Sequence, residues 1–263
     1  MNTLLSWYAW LASRTPLSAL NDIMLKAALR ARGYNGSRNF HDSGEDFFIR
    51  EVLAKSSPTV CIDIGAHVGD YTLRLLGETL ALVISFEPLP HVCRELQNRT
   101  RSYGSRSIVV NKGVGDATGR RSIHYNADSP RLASFSDEVN RVPFVNNRDT
   151  LDIDMVTLDD YLQSGEHDEV SFIKVDTEGY EGEVLVGAAS SIRRYRPMFI
   201  QIEFNRHQLF RGRTLLSFAE QLPEYDVHQL IPHGWVRRDP ADPLANIFEY
   251  SNFVFVRRPE PQS

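Results

Sequence analysis

From residue 58 onward, short apolar runs alternate with longer segments whose apolar residues recur at three- and four-residue steps. The runs cover residues 60–64, 82–86, 170–175 and 198–204, and a segment with helical spacing follows each of them. Strands that alternate with helices form parallel βαβ units with right-handed crossovers. The sequence therefore predicts an α/β protein built around a mostly parallel sheet.

The N-terminal residues 1–39 are predicted to form a helical extension. Thr15 and the proline after it provide a helix start, and apolar residues recur at helical spacing behind them. Such a helix is typical of one that packs on its own domain or on a second copy of the chain, so a homodimer through it is one prediction. Trp7, Tyr8 and Trp10 leave a second interpretation open, in which the helix lies on a membrane surface.

The remaining residues 40–263 are predicted to form one α/β domain. Residues 119–152 are polar and rich in turn residues, and we interpret them as an insertion near a functional site. Residues 227–231 alternate between apolar and polar, and a turn and a last apolar run at 253–256 follow. We expect these late strands to form a hairpin that closes one edge of the sheet.

Charge and composition narrow the class of protein. Twenty-nine basic and thirty-four acidic residues give a net charge of −5, whereas proteins that bind nucleic acid through electrostatics are strongly basic. The chain has no uninterrupted apolar run of about 18 residues, and its N-terminus lacks the pattern of a signal peptide. We therefore predict a cytoplasmic protein without a transmembrane segment that does not bind nucleic acid.

The first motif runs from the strand at 60–64 into a glycine-rich turn that contains Asp63, Gly65, His67 and Gly69. Such a turn presents backbone N–H groups and a helix N-terminus at the carboxyl end of a strand, where open α/β sheets bind ligands. His67 stands where a dinucleotide fingerprint has its middle glycine, which weakens a pyrophosphate-binding interpretation. Asp63 can order the turn or contact a cation such as an amino group.

Two later positions extend this candidate cofactor site. Glu87 and Pro88 follow the second predicted strand, and an acid at this place can accept hydrogen bonds from both hydroxyls of a ribose. Gly115 and Asp116 follow a further predicted strand at residues 108–110, where a backbone and an acid can face adenine; an ordinary turn aspartate is the alternative. Together with the glycine-rich turn, these residues indicate a cofactor that contains a nucleoside.

The most distinctive motif is FIKVDTEGYE at residues 172–181. Strand alternation places Lys174, Asp176 and Glu178 on one side of the strand. Because charges so close together are costly to bury unpaired, they form an ion network or line a site. We expect Lys174 to make a structural ion pair, and at least one of the two acids to act in the site.

Glu203 and His207 follow the next strand, and a parallel topology brings Glu203 near Asp176. Convergent carboxylates can hold a divalent metal such as Mg²⁺, here with Asp176 and Glu203 as ligands, or raise one pKa into the range of a general base. His207 is an alternative base, although a lone histidine after a strand is more often a plain surface residue.

Six stretches of the chain together resemble the FkbM family of S-adenosylmethionine-dependent methyltransferases. They are CIDIGAHVGDYT, ISFEPLP, VNKGVGDATG, MVTLDDYL, FIKVDTEGYEGEVLVGA and FIQIEFN, and they follow the order of the family between about residues 59 and 205. The resemblance implies the class I methyltransferase fold, which is Rossmann-like and has a seven-stranded, mostly parallel sheet with a C-terminal antiparallel hairpin.

The resemblance also assigns roles by position. The glycine-rich turn would surround the methionine part of S-adenosylmethionine, Glu87 would take the ribose hydroxyls, and Asp116 would lie near adenine. Asp176 and Glu178 would lie between the cofactor and the acceptor. His67, within the turn, stands where the family often has asparagine.

We therefore expect in-line transfer of a methyl group to a hydroxyl of a sugar or glycan. Asp176, Glu178, Glu203 or His207 would accept the proton of that hydroxyl. A metabolite of polyketide type or another small molecule is an alternative acceptor. Two rival classes remain: an NAD-dependent oxidoreductase, which shares the alternating fold and the ribose acid, and a non-catalytic scaffold, which keeps the fold without the reaction.

Overall fold

The structure is a computed structural model that describes residues 2–34, 39–128, 130–143, 145–165 and 167–259. Its α-helices are α1 (Asn2–Ala12), α2 (Ser18–Ala31), α3 (Phe40–Ser43), α4 (Glu45–Phe47), α5 (Asp70–Glu78), α6 (Pro90–Thr100), α7 (Leu158–Gln163), α8 (Glu181–Gly187), α9 (Ala189–Tyr195), α10 (Arg206–Arg211) and α11 (Leu215–Gln221). A π-helix (Phe48–Leu53) continues α4. Its strands are β1 (Val60–Ile64), β2 (Leu82–Phe86), β3 (Ser107–Val110), β4 (Gly113–Val114), β5 (Gly119–Tyr125), β6 (Asp149–Val156), β7 (Phe172–Val175), β8 (Phe199–Phe204), β9 (Tyr225–Ile231), β10 (Gly234–Arg237) and β11 (Ser251–Arg257). Residues 35–38 of the predicted N-terminal extension lie outside the described residues.

Eight strands form the central sheet, in the order β10-β9-β11-β8-β7-β1-β2-β3. The five strands from β8 to β3 pair in parallel, with β1 in the middle. β11 runs antiparallel to both of its neighbours, β8 and β9. This arrangement confirms the class I methyltransferase fold expected from the sequence, and β10 adds one strand to the seven expected.

The C-terminal strands are antiparallel, as expected, but the last strand does not close an edge. β11 inserts between β8 and β9, and the edge strand is β10, which forms a hairpin with β9. Burial explains this order. The first five residues of β11 are buried, as a strand with neighbours on both sides requires, whereas the last two residues of β10 are exposed.

The region predicted as a polar insertion contains two long strands. β5 pairs antiparallel with β6, and β6 pairs in parallel with β4, so the three strands form a second, smaller sheet. Phe135, in the loop between β5 and β6, packs against Tyr180 at a ring-centroid distance of 5.6 Å. This contact joins the small sheet to the loop that follows β7.

The core lies on both faces of the central sheet. All five residues of β1 are buried, which is why the strand reads as a continuous apolar run interrupted at Asp63 alone. On one face, Phe48 packs against Phe172 and Phe199, with ring centroids 5.6 and 5.5 Å away. The segment just before β1 is therefore part of the domain, and it carries residues to the carboxyl end of the sheet.

The helices α1 and α2 form a hairpin beside the domain. The Tyr8 hydroxyl donates a hydrogen bond to Asn21 Oδ1 at 2.7 Å, and the Asn21 amide donates to the Ala12 carbonyl at 2.9 Å. Leu29 packs against the core, and the Tyr34 hydroxyl donates to the Leu244 carbonyl at 3.0 Å. In the described part of the chain, no helix combines the length and apolar character needed to cross a membrane.

Candidate active site

A cavity of about 370 Å³ opens at the carboxyl ends of β1, β2, β7 and β8. This volume lies in the range of small-molecule binding sites. Two groups of predicted site residues line it. The turn side consists of Asp63, Gly65, His67, Glu87 and Pro88, and the carboxylate side consists of Asp176, Glu178, Glu203 and His207.

Gly65 brings the two sides into direct contact. Its φ of +83° is a conformation that favours glycine, and a Cβ atom at this position would lie 1.8 Å from the backbone oxygen of Asp176. The backbone N–H groups of Gly65 and Ala66 both donate to the Phe86 carbonyl at 3.0 Å. The turn after β1 is therefore fixed against β2 and pressed against the end of β7.

Asp63 supplies a buried carboxylate to the cavity wall. Its Oδ2 accepts a hydrogen bond from the Thr72 hydroxyl at 2.7 Å, whereas its Oδ1 has no partner among the described residues. Burial raises the pKa of Asp63, and the positive charge of Lys174 opposes this shift. Because a buried acceptor without a partner is costly, this oxygen is suited to a ligand that donates a hydrogen bond.

Glu87 is the second buried acid of the turn side. One of its oxygens accepts from the backbone N–H of Leu89 at 2.8 Å and the other from that of His67 at 3.0 Å. Burial raises the pKa of Glu87 to about 7. His67 has a φ of +50°, and burial lowers the pKa of its imidazole to about 4, which leaves the ring neutral at physiological pH.

Three residues predicted to contact a cofactor are not among the described residues that line the cavity. Gly69 precedes α5, and a Cβ there would lie 2.3 Å from a Leu96 methyl carbon, so close packing explains this glycine. A Cβ at Gly115 would lie 2.8 Å from the Tyr180 ring. Asp116 is exposed and accepts a hydrogen bond from the Tyr180 hydroxyl at 3.1 Å. Their contacts with a cofactor stay predictions.

Lys174 makes the structural ion pair expected from the sequence. Its ammonium lies 2.8 Å from Asp176 Oδ2 and 4.8 Å from the centre of the Tyr71 ring. The nearby negative charges outweigh burial and raise the pKa of this lysine, so it stays charged. Asp176 therefore has a fixed cationic partner, which confirms that the two side chains lie on the same side of the strand.

Glu178 and His207 form a second pair on the carboxylate side. Glu178 Oε2 lies 3.3 Å from His207 Nε2, and the side chains are 16% and 4% exposed. Glu178 has a φ of +52°, and its carbonyl accepts a hydrogen bond from the Ser134 hydroxyl at 2.8 Å. The interpretation of His207 as a plain surface residue is wrong, because its side chain is buried and lines the cavity, where α10 begins with Asn205 accepting a hydrogen bond from the His207 N–H.

Glu203 completes this group, and its Oε1 accepts a hydrogen bond from the Asn205 amide at 2.5 Å. Burial raises the pKa of Glu203 well above its usual range, and the charges of Asp176 and Glu178 act in the same direction. These effects favour the protonated form, so Glu203 is better suited to donate a hydrogen bond than to accept a proton.

The three acids of the carboxylate side could also hold a metal. Asp176, Glu178 and Glu203 each offer an oxygen within 4.8 Å of the others, and carboxylate oxygens are ligands for Mg²⁺. Each acid, however, already has a polar partner within the protein: Lys174, His207 and Asn205 respectively. These contacts satisfy the three acids without a metal ion, and Mg²⁺ binding by Asp176 and Glu203 stays a prediction.

Sequence reasoning missed the residues that close the cavity from outside the recognised motifs. Glu45, at the start of α4, is buried and accepts hydrogen bonds from the Ser43 hydroxyl at 2.7 Å and the Gln201 amide at 3.0 Å. Phe40 and Tyr250 line the same cavity. The signal for Glu45 was a pair of acids, Glu45 and Asp46, before the apolar run that begins at Phe47, and nothing in the sequence shows that this run packs on the sheet.

The fold and the site together define a class I methyltransferase-like α/β protein: a parallel sheet with a reversed strand next to β8, a glycine-rich turn after β1 and an acid after β2. A profile of the Methyltransferase FkbM domain matches residues 63–229. The chain belongs to this family of methyltransferases.

Two curated relatives match the chain at low identity. It is 27% identical over 161 residues to the hexuronic acid methyltransferase AglP of Haloferax volcanii, a match that covers 60% of this chain and 62% of AglP. It is 24% identical over 200 residues to the 2-O-methyltransferase NoeI of Sinorhizobium fredii, which covers 71% of this chain and 79% of NoeI. The match thus spans less than two thirds of the length of AglP.

Solved structures with a similar fold include methyltransferase FkbM from Methylobacillus flagellatus. That structure is 22% identical with a TM-score of 0.48, over 89% of this chain and 59% of the other. The O-methyltransferase from Bacillus cereus in complex with SAH is 10% identical with a TM-score of 0.48, over 96% of both chains.

Proposed function

We propose that the protein transfers a methyl group from S-adenosylmethionine to a hydroxyl group of a sugar or glycan. One observation carries this proposal: the buried acids of the turn side and the Glu178–His207 pair line the same cavity. Membership of the FkbM family supports methyl transfer. The names of the two relatives, a hexuronic acid methyltransferase and a 2-O-methyltransferase, support a sugar and an oxygen as the acceptor.

The turn side fits S-adenosylmethionine. Asp63 Oδ1, which lacks a partner among the described residues, can accept a hydrogen bond from the amino group of the methionine part. Each oxygen of Glu87 keeps one lone pair beyond its bond to a backbone N–H, so the carboxylate can accept both ribose hydroxyls. When bound, the cofactor supplies an electrophilic methyl group on a sulfonium centre.

The carboxylate side fits an acceptor hydroxyl. A sugar hydroxyl is a weak nucleophile at neutral pH and needs both positioning and a group that takes its proton. The Glu178–His207 pair is the candidate, because Lys174 engages Asp176 and Glu203 favours its protonated form. A proton taken from the acceptor is shared between Glu178 Oε2 and His207 Nε2, which lie 3.3 Å apart.

The proposal is tested by binding and by product analysis. Isothermal calorimetry with S-adenosylmethionine and NAD, side by side, should show binding of the first and none of the second. Incubation with methyl-labelled S-adenosylmethionine and a panel of sugars, uronic acids and glycans should then give a labelled product in mass spectrometry. Binding of NAD alone would favour an oxidoreductase, and cofactor binding without transfer to any acceptor would favour a scaffold.

Two additions to this experiment address the remaining alternatives. Hydroxylated compounds of polyketide type belong in the same panel. Transfer to those compounds alone would show that the acceptor is not a sugar, and the reaction would still be methyl transfer. Activity that persists after treatment with a chelator would exclude a role for Mg²⁺ in methyl transfer. Activity that is lost to the chelator and restored by Mg²⁺ would assign Asp176 and Glu203 as ligands to be tested next.

A further inference from the structure

The α1–α2 hairpin exposes a large apolar surface. Of the sixteen large hydrophobic side chains that are exposed in the described part of the chain, nine lie between Leu5 and Leu25. Trp7 is 62% exposed, Trp10 65% and Ile23 65%. Single exposed hydrophobic side chains are ordinary on a protein surface, but nine of them on two adjoining helices are more than scattered exposure and mark an interaction site.

The hairpin is a defined structure and not a loose tail. Tyr8 and Asn21 join the two helices by a hydrogen bond at 2.7 Å, and Leu29 and Tyr34 attach the end of α2 to the domain. α2 nevertheless buries none of its described residues. The domain thus holds the hairpin at one end and leaves its apolar side chains uncovered.

The charges of the hairpin indicate what covers it. Residues 1–34 contain four basic residues and one acidic residue, whereas the whole chain has a net charge of −5. Along α2, Leu20 and Ile23 are exposed on one face, and Lys26 and Arg30, also exposed, continue that face at the next helical steps. Exposed apolar and cationic side chains on one helix are typical of helices that lie in the interface of an anionic membrane.

A second copy of the chain fits this surface less well. A symmetric dimer through the hairpin would place the same patch of each copy against the other, so two hairpins that each carry an excess of positive charge would share one interface. An anionic bilayer instead offers acyl chains to the apolar side chains and phosphate groups to the cations. Tryptophan and tyrosine, both present on α1, favour this boundary.

We infer that the α1–α2 hairpin docks the protein on the surface of an anionic lipid bilayer. The 11 residues of α1 and 14 residues of α2 are shorter than the roughly 20 that a membrane-spanning helix needs. Both helices would therefore lie in the interface, with Trp7, Trp10 and Ile23 among the acyl chains and Lys26 and Arg30 at the headgroups. This inference goes beyond the proposed reaction and does not depend on it.

The test is co-sedimentation of the full chain with vesicles of phosphatidylcholine, with and without phosphatidylglycerol. We expect binding to the vesicles that contain phosphatidylglycerol, weaker binding at high salt, and weak binding to phosphatidylcholine alone. Replacing Lys26 and Arg30 with glutamine should weaken binding about thirtyfold. The matched control replaces Arg94 and Arg101, two exposed residues of the domain, and should change it little.

The apolar contribution has its own variant and control. The double change Trp7→Ser and Trp10→Ser should lower binding at least about tenfold, whereas Leu80→Ser, at a side chain that is 91% exposed in the domain, should not. Quenching of tryptophan fluorescence by bromine-labelled lipid checks insertion in the unaltered protein. Absence of vesicle binding would overturn the inference, as would a stable dimer in lipid-free solution that dissociates in the double variant and does not bind vesicles.

Discussion

The two sides of the cavity are built differently. On the turn side, the partners of both acids come from the segment that runs from β1 to just after β2: Asp63 accepts from Thr72 in α5, and Glu87 from the backbone of Leu89 and of His67, which lies in the turn after β1. On the carboxylate side, Glu178 contacts His207, which the chain reaches only after another strand. The first side is complete within residues 63–89, whereas the second forms only when β7, β8 and α10 are assembled.

Gly65→Ala should have the largest effect, because Gly65 is where the two sides touch. The added Cβ would meet the Asp176 carbonyl at 1.8 Å, so we expect a loss of about 3 kcal/mol or more in the free energy of unfolding. Gly212→Ala is the matched control. Gly212 has a φ of +63° and, among the described residues, no atom within 4 Å of such a Cβ other than its own chain neighbours, so it should lose about 1 kcal/mol.

Urea denaturation of both variants measures this difference. If the two substitutions lower the free energy of unfolding equally, the positive φ alone would explain why residue 65 is glycine. The close approach of the two sides would then contribute nothing measurable to stability.

Asp63→Asn should weaken binding of S-adenosylmethionine roughly ten- to hundredfold, because a neutral amide replaces the charged acceptor. The shape of the side chain is kept, so the fold should persist. Calorimetry with the cofactor checks this, and Asp239→Asn, at an exposed position, is the control. Unchanged affinity in Asp63→Asn would remove this residue from the cofactor site and leave it as an organiser of the turn.

Glu181→Gln tests the carboxylate side alone. Glu181 is buried, and its Oε1 accepts from the backbone N–H groups of Thr177 at 2.9 Å and Gly179 at 3.1 Å, while the Gln208 amide donates to its Oε2. An amide cannot accept at both ends, so the loop that carries Glu178 should loosen and kcat should fall about tenfold. Cofactor affinity should change little.

The swap of Glu181→Gln with Gln208→Glu restores a donor opposite an acceptor and should recover part of the lost activity. A loss of cofactor affinity as large as the loss of kcat would contradict the independence of the two sides.

The smallest effect should be a pH dependence that belongs to the turn side. Since burial raises the pKa of Glu87 to about 7, affinity for S-adenosylmethionine should rise severalfold between about pH 6 and about pH 8, as Glu87 loses its proton. The raised pKa also means that Glu87 favours the folded state most below its unfolded pKa and that this contribution is lost as the pH rises through 7. Glu87→Gln should flatten both profiles; an unchanged affinity profile in this variant would assign the titration to another group.

The parallel part of the fold could be predicted because buried parallel strands are continuous apolar runs, and residues 60–64 and 82–86 match β1 and β2. The antiparallel edge could not be predicted in the same way. The order of β9, β10 and β11 depends on which strand has neighbours on both sides, and this is a property of the assembled sheet rather than of any one segment.

The site residues also differ in whether a single segment of the sequence is enough to predict them. Asp63, Gly65 and Glu87 lie in contiguous motifs whose local geometry follows from strand ends and a glycine turn, and all three line the cavity. Their contacts with a cofactor stay predictions. The sequence names Glu178 and His207 as candidates but not as a pair, because the pair needs the position of α10. Glu45 was missed altogether, since it reaches the cavity through packing of a segment that precedes the sheet.

The role of the Glu178–His207 pair is tested most directly by measuring methyl transfer and cofactor affinity together in Glu178→Gln and His207→Asn. We expect each substitution to lower the single-turnover rate of transfer to a sugar acceptor by about 10²- to 10⁴-fold. The double variant should be little worse than either, and affinity for S-adenosylmethionine should be unchanged. Glu220→Gln, at an exposed position, should keep both properties. Full transfer in both single variants, or a loss explained by cofactor affinity alone, would contradict the role of the Glu178–His207 pair.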